Sequence, residues 1–117
     1  MHSGLERGVL LFNEGAYFEA HEVLEEVWTP ERGVRRLFLQ SLIHFAVGLY
    51  HYERGNSIGA ELQLRKALRK LRPHLPAFEG VDTARLLEEG EGWLQTVLQG
   101  RPIEGRPEMR LVQSVSP

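Results

Sequence analysis

At 117 residues, with 42% hydrophobic and 26% charged residues, the chain has the length of one domain and a globular rather than disordered composition. A formal net charge of −2 offers no broadly basic surface, so nucleic acid is not an expected partner. The absence of cysteine excludes disulfides, iron–sulfur clusters and thiol catalysis, and suits a reducing cytoplasm.

The opening residues carry no apolar run of signal-peptide or membrane-span length, so the chain reads as cytoplasmic with no membrane partner. Apolar residues then recur with the helical period in five segments. The first covers about residues 3–14, with Leu5, Val9, Leu10 and Phe12 apolar, and stops at the turn signal Asn13-Glu14-Gly15. The second covers about residues 17–28 and stops at Thr29-Pro30, because the residue before proline is pushed out of the helical region. The third is long, about residues 31–54, and ends at Gly55-Asn56. The fourth covers about residues 57–72, with Ser57 the expected cap, and Pro73 and Pro76 bracket a linker. Asp82 caps a fifth helix reaching about residue 99. The expectation is an all-α fold: residues 1–100 form a compact bundle of about five helices built from hairpins, and residues 101–117 an extended or mobile tail. No strand pattern or dinucleotide loop is present.

A weak internal repeat sets Gly15–Ala20 beside Gly55–Ala60, with Phe12 matching Tyr52 and Leu24 matching Leu64. Each copy reads as helix, glycine turn, then a helix with an early alanine that admits close packing. The arrangement resembles a tetratricopeptide hairpin, although the offset is longer than that repeat's ~34 residues.

In the second helix Tyr17, Ala20, Val23, Leu24, Val27 and Trp28 share one side at about 100° per residue. Glu19, Glu22 and Glu26 lie opposite, as a solvated acidic face does, and Glu19 in the first turn suits the helix dipole. His21 falls instead at the border of the apolar stripe, with Glu25 one turn on. The pair is a polar edge held by Glu25 or a backbone carbonyl, a ligand or general-base pair, or an exposed pair of no consequence.

The third helix is apolar nearly all round and therefore central. Gln40, His44 and His51 share one stripe across it. Polar atoms buried without partners would cost roughly 1–3 kcal/mol each, so partners are required. The short connection makes the second and third helices antiparallel neighbours, and His21, Glu25, Gln40 and His44 are expected to meet there. Such a group suits a hydrogen-bond network or, alternatively, a zinc, iron or manganese ion. The spacing is neither HExxH nor the paired motif of di-iron bundles, so no cofactor is expected and a divalent metal is the alternative.

Leu64, Ala67, Leu68 and Leu71 form the buried seam of the fourth helix, and Arg65, Lys66, Arg69, Lys70 and Arg72 give it a basic surface, with Glu61 placed to pair with Arg65. Gly90 and Gly92 inside the fifth helix each cost about 1 kcal/mol relative to alanine and point to close packing or a local irregularity.

FNEGAYFEAHEVLEEVW (Phe12–Trp28), with FLQSLIHFAVGLYHYERGNSIGA (Phe38–Ala60), resembles a family of small uncharacterised helical proteins classed as a domain of unknown function. The likeness covers about residues 11–71. It implies an all-helical fold and marks Glu19, His21, Glu22, Glu25, Trp28 and Gln40 as motif positions. That family often has Gly-Leu-Ile-Gln where this chain has Ser41-Leu42-Ile43-His44, so the resemblance does not extend to His44. It implies no reaction or cofactor.

The function expected from the residues is a non-catalytic helical interaction module, whose partner is another protein or a second copy of the chain. Its tentative binding patch is Glu19, His21, Glu22, Glu25, Trp28, Gln40, His44 and His51. The alternative is a metal-dependent or acid–base enzyme with a His/Glu site between the second and third helices.

Overall fold

Ser3 starts the first helix, α1 (Gly4–Asn13): its hydroxyl accepts a hydrogen bond from the Glu6 amide at 3.1 Å. The computed structural model describes residues 3–112, and the end of the expected tail, 113–117, lies outside the described residues. Then follow α2 (Tyr17–Trp28), α3 (Gly33–Glu53), α4 (Ser57–Leu71), a single 3₁₀ turn over Arg72–His74, and α5 (Thr83–Leu98). The fold is all-α; among the described residues, extended pairing is limited to the isolated bridges Phe78–Val81 and Val81–Leu111. No helix among them is long and apolar enough to cross a membrane.

The two glycine turns are built alike. Gly15 and Gly55 hold φ of +82° and +76°, a conformation that favours glycine because it has no Cβ to clash. Glu14 and Arg54 donate their amides to Leu10 and Tyr50, while Ala16 and Asn56 donate theirs to Leu11 and His51, each at 2.9 Å for the second pair. Both alanines, Ala20 and Ala60, are completely buried. The cap of α4 is Asn56 and not Ser57: the Asn56 Oδ1 accepts from the Gly59 amide at 2.9 Å. Its backbone stands just outside the helix, where a capping residue must be, whereas Ser57 is already inside.

α3 is the central element. Phe38, Leu39, Leu42, Phe45, Ala46 and Leu49 are fully buried, and α2 and α4 run antiparallel to α3 on its two flanks. α1 packs on α2 and α5 on α4. Phe12 and Trp93 join the outer helices, with ring centroids 6.1 Å apart, and Trp93 meets Phe45 edge-on at 5.8 Å.

The chain beyond α5 is extended and fastened to the bundle. The Asn13 side chain accepts from the Met109 amide at 2.7 Å and donates to its carbonyl at 2.9 Å. The Met109 side chain is fully buried, and the Tyr52 hydroxyl accepts from the Ile103 amide at 2.8 Å. Backbone bonds from Asp82 to Arg110 and from Val112 to Gly80 complete the seam.

The two glycines of α5 separate in role. A Cβ on Gly90 would stand 2.7 Å from the Phe45 ring, so this glycine is the close approach of α5 to the core; Gly92 faces open space. Gly90→Ala should therefore destabilise the fold by about 1–3 kcal/mol through overpacking. Gly92→Ala should stabilise it by about 0.5–1 kcal/mol through helix propensity. Urea unfolding of both variants measures the contrast, and equal shifts would contradict it.

Candidate functional site

Phe18 lies in the first turn of α2, at the edge of the helix rather than on the Tyr17–Ala20–Leu24 side that faces the core. It is 45% exposed, and its ring packs on Tyr50 and His21, with centroids 5.5 and 5.4 Å away. Beside it opens an almost wholly apolar cleft of about 150 Å³, lined by Tyr17, Phe18, His21, Val47, Tyr50 and His51. The Arg54 guanidinium stands 5.5 Å from the Tyr50 ring centre on the same rim.

Two histidines of the expected binding patch, His21 and His51, thus border one cleft. His21 Nδ1 lies 3.2 Å from the Phe18 carbonyl, and His21 Nε2 lies 3.1 Å from Glu25 Oε1. Both partners are acceptors, so the ring can donate to both only as imidazolium and to one when neutral. His51 Nδ1 accepts from the Asn56 side-chain amide at 3.4 Å, which ties the cleft to the α3–α4 turn.

His44 does not join them. Its Nδ1 donates to Gln63 Oε1 at 2.7 Å, and its Nε2 accepts from Lys70 Nζ at 3.0 Å, both on α4. This is the neutral ring, and burial holds its pKa below the ordinary 6.5; Gln63 opposes that shift, while Lys70, Lys66 and Arg69 add to it. The expected meeting of His21, Glu25, Gln40 and His44 is therefore corrected to two separate groups on either side of α3. The physical reason is Gly48, one turn from His44 on the stripe. A Cβ there would stand 3.2–3.3 Å from Leu64 and Gln63, so its absence admits α4 closely on that side. Gly48 was the signal for this, and Gln63 and Lys70 are the partners that sequence reasoning missed.

The other predicted residues take different places. Gln40 is half-buried on α3 and makes no side-chain hydrogen bond among the described residues. Glu19 and Glu22 are exposed and form no ion pair among them. Trp28 is the corner piece between α2 and α3. The Arg36 guanidinium lies 3.9 Å over its ring and reaches the Trp28 and Glu31 carbonyls at 3.3 and 3.2 Å, supplying donors to the open end of α2. The Trp28 Nε1 is buried without a partner. Among the described residues no group of three or more His, Asp or Glu side chains is gathered to hold a metal ion.

The arrangement is that of a small helical domain with an open aromatic cleft on one face. Residues 5–62 match the model of DUF309, a domain of unknown function, and the chain carries that domain over α1, α2, α3 and the start of α4. The chain is 40% identical over 75 residues to the uncharacterized protein YpuF of Bacillus subtilis (strain 168), covering 62% of this chain and 43% of that one. It is 27% identical over 108 residues to an uncharacterized protein of Aquifex aeolicus (strain VF5), covering 91% of this chain and 31% of the other. The chain thus spans less than half the length of these two relatives. All the cleft residues fall within the matched segment, whereas Gln63 and Lys70 lie past its end.

Two measurements follow from the histidines. His44 and His74 are both pushed below 6.5 by burial, and a depressed imidazole pKa means the unfolded chain binds the proton more readily. Stability is then full above 6.5 and falls as pH drops through the folded-state values. His44→Gln and His74→Phe should each flatten that loss in thermal melts below pH 6.5; an unchanged slope in both variants would rule the two rings out as its source. His21→Ala removes a pair in which Glu25 is half exposed and the contacts of the ring with Phe18 at the open rim, so its cost in urea unfolding should be under about 1 kcal/mol. A larger loss would make His21 a structural residue.

Proposed function

We propose that the chain is a non-catalytic interaction module of the cytoplasm, which docks a protein partner on the face formed by α2, α3 and α4. The open apolar cleft beside Phe18 carries this reading. An exposed aromatic next to a cavity of side-chain size is the arrangement of a binding anchor and its pocket, since filling it removes apolar surface from water on both sides. The polar residues nearby support binding over chemistry. His21 is engaged by Phe18 and Glu25, and His44 by Gln63 and Lys70, so no shared reacting point is aimed at by both. The lack of cysteine suits a reducing compartment.

A photoreactive phenylalanine analogue placed at Phe18 in cells of the source organism tests the reading. Illumination should give discrete protein adducts from that position and none from Glu88, which is exposed on α5. Silence at position 18, or equal labelling at both, would overturn it.

A further inference from the structure

The glycine-turn repeat has a consequence for the surface. Phe18 of α2 meets Tyr50, and Gly59 of α4 meets His51, so residues about 40 apart on α2 and α4 stand at the same height along α3. The two flanking helices are parallel to each other, and matching positions can be compared directly. At the glycine-turn end both carry exposed apolar residues: Phe18 on α2, and Ile58 and Leu62 on α4, the last two 74% and 54% exposed. Farther along, the charges are opposite. α2 shows Glu22 and Glu26, and α4 shows Lys66 and Arg69, all exposed and all without an ion pair among the described residues. Both lysines of the chain, Lys66 and Lys70, lie on this part of α4. Between the flanks runs the half-buried stripe of Gln40, His44, Val47 and His51, with exposed Leu37 at its far end.

Such a face can be matched by itself in only one way. A two-fold axis lying across the helices would set α2 on α2 and α4 on α4, placing like charges together. A two-fold axis parallel to α3 sets α2 of one copy on α4 of the other without changing heights. Glu26 then meets Lys66 and Phe18 meets Ile58, while Glu22, at the height of Leu62, lies one helical turn from Lys66, and Arg69 lies one turn beyond Glu26. We propose that this face pairs with the same face of a second copy about a two-fold axis parallel to α3, α2 of each copy lying on α4 of the other. The proposal rests on the reading of this face as an interaction surface and names its partner. Twelve residues of α2 and fifteen of α4 have lengths of roughly 18 and 22 Å, and helices pack 8–10 Å apart, so the face offers on the order of 600 Å² a side. That is the low end of a stable interface, and a dimer of this kind depends on its charges and weakens with salt.

The test uses sedimentation or light scattering of the purified full chain at low salt, with circular dichroism confirming that every variant is folded. The wild type should show twice the monomer mass and shift toward monomer as salt rises. Glu22→Lys with Glu26→Lys makes both flanks basic, and Lys66→Glu with Arg69→Glu makes both acidic, so each double variant alone should be monomeric. Mixed one to one, they should recover the doubled mass, because every α2–α4 contact is again between opposite charges. A wild type that is monomeric at its highest soluble concentration, or variants that dimerise as it does, would overturn the proposal. If photo-adducts from position 18 then join the chain to a different protein, the interaction-module reading stands without the dimer. If there are no adducts either, both fall.

Discussion

Phe38, Leu39, Leu42, Phe45, Ala46 and Leu49 leave α3 without a broad side it can turn to water. A helix of that kind has to be enclosed, and burying each such side chain is worth about 1.5–3 kcal/mol, so the enclosure decides where everything else goes. α2 and α4 take its flanks, and α1 and α5 lie against those two. Between those two flanks the stripe from Leu37 to His51 is left partly open. The cleft, the histidine groups and the charged flanks are all arranged along that opening, which is why one face of the molecule concentrates its unusual residues.

Enclosure from two sides also divides the polar groups. α3 carries histidines that lean both ways: His51 borders the cleft shared with α2, while His44 is bound by Gln63 and Lys70 of α4. The neutral state of His44 follows from burial amid cations, and the neutral ring is what allows it to accept from Lys70. At His21, by contrast, both neighbours are acceptors. Similar side chains on one protein face thus meet different hydrogen-bond partners, a donor and an acceptor at His44 and two acceptors at His21.

The helices were legible in the sequence because apolar periodicity agrees, for each of them, with a glycine turn or a proline stop at its end. Asp82 as the cap of α5 is found, with its carboxylate accepting from the Arg85 amide. The cap of α4 falls one residue before the expected Ser57, because Asn56 and Ser57 are both good caps and only the backbone decides. The site was legible in its members and not in its grouping. Helical period puts Gln40, His44 and His51 on one stripe, but it says nothing about which neighbour reaches that stripe first; Gly48, through the close approach it permits, settles that in favour of α4 for His44. Trp28 reads as an apolar core position by period, yet its indole is half-buried under Arg36, a cation–π contact between residues on two different helices that no periodicity encodes.

Asn13 ends α1 at the turn that the sequence marks, and its side-chain amide also clasps the backbone of Met109, 96 residues away. The helix pairs α1–α2, α2–α3 and α3–α4 join near neighbours in sequence and can form as soon as those segments exist. The clasp cannot, because closing so long a loop requires the bundle to bring its two ends within reach first. Assembly therefore has a natural order in which the Asn13 clasp is the final step. The buried Met109 acts as a latch whose closing reports that the helices beneath it are already in place.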